Sequence, residues 1–286
     1  MIFEDPIKIS PEEQLSCAIT LWKQLMLHEE HLNARYFLRS LPWEIRSSET
    51  IKEMVAITNK CLAHVDDESI MQKIYTGYGG IGARPLPNDI DLNDQHYPRW
   101  NFAANNIGDA KYILEIGCND GWLTNRLGLK FPDKLIRGVD CSDKAISYAQ
   151  SEAIKWETRV KYQVVEFYGH HAPLGTWPSQ YDVVILFEVY EHVVDVFKLL
   201  EHAISFIRPG GKLLLSTPHG SWARGFPMVW ATKWNSMKEH LRAPLPEEVS
   251  RDMETSGLKD VSVVICDIPV PDVPGQSTIL ATGRKQ

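Results

Sequence analysis

The apolar positions near the start of the chain repeat at helical spacing. Leu15, Ile19, Trp22, Leu25 and Met26 fall three and four residues apart, the stripe of an amphipathic helix. Ahead of them, Ser10-Pro11-Glu12-Glu13 carries the marks of a helix start: a serine cap, a proline at the first helical position, and a glutamate placed to reach back to the cap. The pattern predicts a helix from Pro11. A second stripe runs through Ile51, Met54, Val55, Ile57, Cys61 and Leu62, so residues 1–76 read as a helical N-terminal region. Between 77 and 106 the periodicity stops: Gly79-Gly80, Pro85, Pro87, Asn88-Asp89 and Asp91 alternate with Tyr78, Tyr97, Trp100 and Phe102. This stretch predicts an irregular connector with aromatic anchors, and the domain boundary belongs there.

From residue 107 to 286 the text alternates between short β-type runs and amphipathic segments. The runs are Tyr112–Ile116, Leu135–Asp140, Lys161–Val165, Tyr181–Phe187, Lys212–Ser216, Val261–Asp267 and Ser277–Thr282. Helix-length segments at Ser142–Lys155, Asp195–Ile207 and Pro246–Ser256 separate most of them. Such alternation predicts an α/β fold, a seven-stranded, mostly parallel sheet with helices on both faces. The link from Pro269 to Gly275 is too short and too proline-rich for a crossover helix, so the last strand should run antiparallel at or near the sheet edge.

Composition narrows the partners. Hydrophobic residues make up 44% and charged residues 23%, which suits a folded globular chain and neither a disordered segment nor a fibre. The formal charge of −7 gives no protein-wide positive field to gather nucleic acid. Five scattered cysteines with no C-x-x-C pair speak for a reducing compartment. No apolar run approaches the roughly 18 residues of a membrane span, and no secretion signal is visible. A cytoplasmic protein without membrane association is the expectation.

The candidate chemistry starts where the first run, Tyr112–Ile116, enters Gly117-Cys118-Asn119-Asp120-Gly121 and a helix-compatible stretch from Trp122. Glycines at such a strand-to-helix turn let a ligand approach the backbone. A dinucleotide fold wants G-x-G-x-x-G, and glycine is missing at 119 and 122. The segment instead resembles the first motif of class I S-adenosyl-L-methionine (SAM)-dependent methyltransferases, an acidic residue followed by G-x-G-x-G. Glu115, Gly117 and Gly121 match, and Asn119 replaces the middle glycine. Gly138-Val139-Asp140 ends the next strand where that family places a carboxylate on the ribose hydroxyls. Tyr181 to Glu188 looks like its fourth strand, with Phe187 in the cofactor set, and Ile207 to Leu213 looks like its turn into strand five. The resemblance covers about Tyr112 to Arg284 and implies a Rossmann-like fold with SAM as cofactor. For adenine, Glu166 and Phe167 at the end of strand three offer a polar contact and an apolar wall, against the plain reading of a strand terminus.

After strand four, Glu188-Val189-Tyr190-Glu191-His192 puts two carboxylates and an imidazole at the sheet's carboxyl edge. This E-x-x-E-H pattern is similar to ubiquinone-pathway O-methyltransferases and to small-RNA 3′-terminal 2′-O-methyltransferases. The latter resemblance implies a divalent ion on Glu188, Glu191, His192 and a later histidine, here His240. Mixed oxygen and imidazole ligation suits Mg²⁺, Mn²⁺, Fe²⁺ or Co²⁺, and zinc stays open. The plainer reading makes the glutamates caps of the next helix and His192 a buried histidine or metal-free base. His219, in Ser216-Thr217-Pro218-His219-Gly220, is a second candidate base or a loop residue, and His170-His171 has no assigned role. Residues 221–245 interleave Trp222, Phe226, Trp230 and Trp234 with Arg224, Lys233, Lys238 and Arg242, a composition fit to roof an acceptor pocket. Such a roof suits a small molecule or an RNA end, and the acidic net charge favours the small molecule. The functions that follow are a SAM-dependent O-methyltransferase acting on a small-molecule hydroxyl, an RNA 2′-O-methyltransferase, or a SAM-binding protein without turnover. In the enzyme readings the N-terminal helices complete the pocket or serve a dimer contact, and in the last, a regulatory or assembly protein, they are the interaction module.

Overall fold

The computed structural model describes residues 10–27, 34, 38, 41, 45, 48–61, 96–165, 180–193, 195–220, 244–268 and 277–286. The described residues of the N-terminal region include the helices α1 (Pro11–Leu27) and α2 (Glu49–Cys61). The expected start is built as the sequence indicates: Glu13 N donates to Ser10 Oγ at 3.2 Å, and Ser10 N donates to Glu13 Oε2 at 2.8 Å. Ala18, Leu38, Leu41, Ile45, Ile51 and Met54 form a small core there, and Trp22 Nε1 donates to Thr58 Oγ1.

The remainder runs α3 (Tyr97–Ile107), β1 (Tyr112–Ile116), α4 (Trp122–Lys130), β2 (Leu135–Asp140), α5 (Asp143–Lys155), β3 (Lys161–Val164), β4 (Tyr181–Phe187), a single 3₁₀ turn (Tyr190–His192), α6 (Val196–Phe206), β5 (Ile207–Pro218), α7 (Pro246–Thr255), β6 (Lys259–Asp267) and β7 (Ser277–Arg284). The sheet order is β3-β2-β1-β4-β5-β7-β6. Strands β1 to β5 pair in parallel, while β7 is antiparallel to both neighbours. The antiparallel final strand is as expected, and it sits one place in from the edge, which β6 occupies.

Alternation along the strands sorts the core into two layers. Leu114, Ile116, Val184, Leu186, Leu213 and Leu215 point to one face, where Leu199, Leu200, Ala203 and Phe206 of α6 and Val249 and Met253 of α7 cover them. Ile113, Ile136, Val183, Ile185 and Leu214 point to the other, under Ala103 and Ile107 of α3 and Leu123 and Leu127 of α4. All seven residues of β4 are buried, which is why this strand reads as an apolar run from Val183 to Phe187, with the buried Asp182 held by Lys111 N, Tyr112 N and Arg208.

One expectation needs correction. The connector predicted to be irregular from 77 to 106 is helical from Tyr97. Pro98 lies in the first turn, where its missing N–H costs nothing, and Trp100, Ala103 and Ile107 repeat at helical spacing against the sheet. The remainder of the connector, 77–95, lies outside the described residues. The glycine pair at 210–211 proves architectural: the register between β4 and β5 jumps from Tyr181↔Ile207 to Val183↔Lys212, and Arg208 Nε pairs with Asp182 at 2.5 Å across the bulge.

Candidate active site

The loop after β1 turns at the carboxyl ends of the central strands, where open α/β sheets hold ligands. Gly117 (φ 75°), Asn119 (φ 46°) and Gly121 (φ 76°) all take left-handed backbone angles. Asparagine adopts that region more readily than most residues, so the loop keeps its path without the middle glycine. Its position is set by β2. Gly117 N and Cys118 N both donate to Val139 O, at 2.8 and 3.0 Å, and Asn119 N donates to Asp140 Oδ2 at 2.9 Å. The other oxygen of Asp140 accepts from Ser142 N at 2.9 Å. Burial raises the carboxyl above its usual range, and the bonds from Ser142 and Asn119 oppose that rise.

The two glycines are required by neighbouring protein as much as by backbone angle. A Cβ on Gly117 would lie 2.3 Å from Val189 Cγ2; one on Gly121 would lie 2.6 Å from Tyr162 Oη and 2.8 Å from Ala149 Cβ. Gly117→Ala is therefore expected to cost about 2–4 kcal/mol of stability, combining left-handed strain with overpacking. Chemical denaturation would measure it, and a variant as stable as the parent would refute this account of the turn.

Beside the loop lies a cavity of about 190 Å³ lined by His96, Arg99, Glu115, Gly117, Cys118, Asn119, Asp120, Trp122, Leu123, Phe187 and Glu188. Glu115 is 4% exposed and accepts a short hydrogen bond from Thr124 Oγ1. Burial pushes its carboxyl up to about 8; the Thr124 bond works against this, and the nearby Asp120 and Asp140 add to it. The positive charge of the cavity is Arg99, 8% exposed, whose Nη1 lies 2.6 Å from Glu188 Oε2. Glu188 also accepts from Ser216 Oγ at 2.8 Å and holds a left-handed φ of 55°. The cavity thus offers a buried carboxyl, a guanidinium and a half-buried carboxylate within one small space.

Of the residues expected from sequence, Glu115, Gly117, Asn119, Phe187 and Glu188 line this cavity, and Asp140 shapes the loop from outside it. Arg99, His96 and Trp122 line it without having been expected. The helical spacing around Pro98 was the signal that could have brought Arg99 into view. Glu166, Phe167, His240, His170-His171 and residues 221–243 lie outside the described residues.

Among the described residues the expected convergence of Glu188, Glu191 and His192 on an ion is not found; the fourth expected ligand, His240, lies outside them. Glu188 is committed to Arg99 and Ser216, so a guanidinium already supplies the countercharge an ion would bring. Glu191 is 1% exposed and accepts from Thr217 Oγ1 at 3.0 Å; burial, then the neighbouring Glu188, raise its carboxyl far above the usual range. His192 Nε2 is 3.7 Å from Glu191 Oε1. Among the described residues no three His, Cys, Asp or Glu side chains gather as a metal would need. The capping alternative fails too, because Asp195 caps α6 by accepting from Lys198 N. His219 is 8% exposed, its Nδ1 3.0 Å from Ser277 Oγ and its N–H donated to Ser277 O, which ties it to the start of β7.

A family model described as a methyltransferase domain matches residues 96–263, more than half of the chain. The chain belongs to that methyltransferase family. The matched span begins at His96, so α3 and the cavity residues it carries are part of the methyltransferase domain. A ubiquinone biosynthesis O-methyltransferase of Idiomarina loihiensis is 25% identical over 162 residues, 54% of this chain and 64% of that protein. Its counterpart in Leptothrix cholodnii is 30% identical over 122 residues, 42% of this chain and 50% of that one. The matches thus span less than two thirds of these relatives. Among solved structures, a geranyl diphosphate C-methyltransferase from Streptomyces coelicolor superposes with a TM-score of 0.55 at 16% identity, covering 76% of this chain and 98% of that one. Haemonchus contortus phosphoethanolamine N-methyltransferase 2 gives 0.52 at 17%, covering 66% and 52%. This chain shares with them the Rossmann-like methyltransferase fold, built here on a mostly parallel seven-stranded sheet. Among the described residues no helix is long and apolar enough to cross a membrane.

Proposed function

We propose that this methyltransferase binds SAM in the cavity beside the glycine loop and methylates a hydroxyl of a small molecule. The observation that carries the reading is the polar set: Arg99, ion-paired with Glu188, and the buried Glu115 line one cavity with the left-handed glycine loop, a match for the carboxylate and ammonium of an amino-acid end. In this reading Asp140, which closes β2 beside the loop, takes the ribose. Bound SAM supplies an electrophilic methyl on a sulfonium whose leaving group is a neutral thioether. The chain's own residues then have to align the acceptor and take its proton. His192, 17% exposed and braced by the buried Glu191, is the candidate base. The ubiquinone-pathway names of the sequence relatives favour oxygen and a small acceptor. The RNA alternative rests on residues 221–245, almost all of which lie outside the described residues.

Calorimetry with S-adenosylhomocysteine, followed by methyl-labelled SAM with phenols, catechols, alcohols, amines and a short RNA, tests the reading. Binding with label on a small hydroxyl supports it. Absence of binding defeats the cofactor site, label on nitrogen or RNA defeats the acceptor, and binding without turnover on any acceptor points to a SAM-binding protein that has lost catalysis.

A further inference from the structure

His96 lines the cavity and has no part in the chemistry above. Its Nδ1 makes a short contact with Arg99 Nη2. Arginine carries donors only and keeps its proton, so the imidazole nitrogen must be the acceptor, and an imidazole accepting at Nδ1 holds its single proton on Nε2. The ring is itself braced: its centroid lies 5.1 Å from that of Trp122, with 50° between the planes, and Arg126 Cζ sits 4.4 Å from the centre of the Trp122 ring. Trp122 opens α4 directly after Gly121, so the entry to α3 and the end of the glycine loop meet at the His96 ring. Arg99 is thus held from two sides, by Glu188 Oε2 on Nη1 and by His96 on Nη2. A guanidinium is a planar fork, and what it offers a carboxylate depends on direction as much as on charge.

We propose that His96 is a positioning residue: its Nδ1 fixes the direction in which Arg99 presents its guanidinium to a carboxylate ligand in the cavity. For the identity of that carboxylate, the amino-acid end of SAM, the proposal rests on the cofactor reading above. The mutual contacts make a one-piece receptor, in which the glycine loop sets Trp122, Trp122 sets His96, and His96 sets Arg99.

Two substitutions separate the acceptor from the ring. H96F keeps a ring against Trp122 and removes the acceptor; H96N places an amide oxygen near the position of Nδ1 and removes the ring. S-adenosylhomocysteine should bind H96F about tenfold more weakly than wild type, the order expected for one hydrogen bond to a charged group, and H96N within about threefold. In an R99M background H96F should add no further loss, since the two residues act as one unit. Histidine nitrogen NMR of the ligand-free protein should show His96 neutral with its proton on Nε2, a readout that needs neither a folded variant nor a bound cofactor. Tight binding by H96F with weak binding by H96N, additive losses with R99M, or a proton on Nδ1 would each overturn the proposal. Wild-type protein that binds no S-adenosylhomocysteine overturns the cofactor reading and with it this choice of ligand, whereas wild-type binding matched by H96F overturns the role of His96 alone.

Discussion

Asp140→Ala is expected to abolish measurable binding of SAM and its demethylated product, a loss of at least about 100-fold, while the protein still folds. The carboxylate does two things at once. Its oxygens accept from the backbone N–H groups of Asn119 and Ser142, which hold the left-handed loop in place and start α5, and under the proposed function they also meet the ribose of the cofactor. Each hydrogen bond to a charged acceptor contributes roughly 1.5–3 kcal/mol, so losing both costs at least about two orders of magnitude in a loop-dependent affinity even before any ribose contact is counted. Asp140→Asn should fare little better, because an amide has one acceptor oxygen and turns its NH₂ toward the second backbone N–H. A melting experiment with and without S-adenosylhomocysteine reads the result: wild type should gain melting temperature and both variants should not. A D140A protein that binds within tenfold of wild type would remove Asp140 from the site.

Glu115→Gln should produce the opposite pairing of effects, a more stable protein that binds cofactor less well. Glu115 ionises near 8 when folded against an ordinary 4.5. Below pH 4.5 both folded and unfolded chains hold the proton and nothing is lost. From 4.5 to about 8 the unfolded chain releases it while the folded one retains it, so stability falls as pH rises, and above 8 the loss levels off. At about 1.4 kcal/mol for each pH unit, the wild-type protein should lose on the order of a few kcal/mol across that window. Glutamine stays neutral and can still accept from Thr124, so the variant should be as stable as wild type at pH 4 and more stable by a few kcal/mol at pH 9. Parallel denaturation profiles for the two proteins would sink the argument. Binding should run the other way. A cofactor ammonium favours the ionised carboxylate, so wild-type affinity should rise with pH toward 8 and binding should release a proton, detectable by calorimetry in buffers of different ionisation enthalpy.

What could be read from the sequence follows from where each signal is stored. β1, β2 and β4 were legible to the residue, because each is a short run dominated by β-branched and other apolar residues that stops at a glycine or an acidic residue. The loop residues Glu115, Gly117, Asn119 and Gly121 were legible because their chemistry is local to one turn. Arg99 was hidden twice, first by a helix whose proline, tryptophan and asparagines resemble a loop, and then by a partner, Glu188, far along the chain. Glu188, Glu191 and His192 show the limit of nearness in sequence. Nearness in sequence suggested one cluster, yet left-handed backbone at Glu188 followed by a 3₁₀ turn leaves one carboxylate on Arg99 and the other against Thr217 in the interior.

β7 follows β6 in the chain yet lies between it and β5. During synthesis on a ribosome, β5 and β6 emerge first with their inner borders unmatched, and that half of the sheet can close only when residues 277–284 arrive to bridge them. A nascent chain halted before that point would display two adhesive strand borders at once, so an interrupted translation product should be a client for chaperones or proteases, never a partly working enzyme.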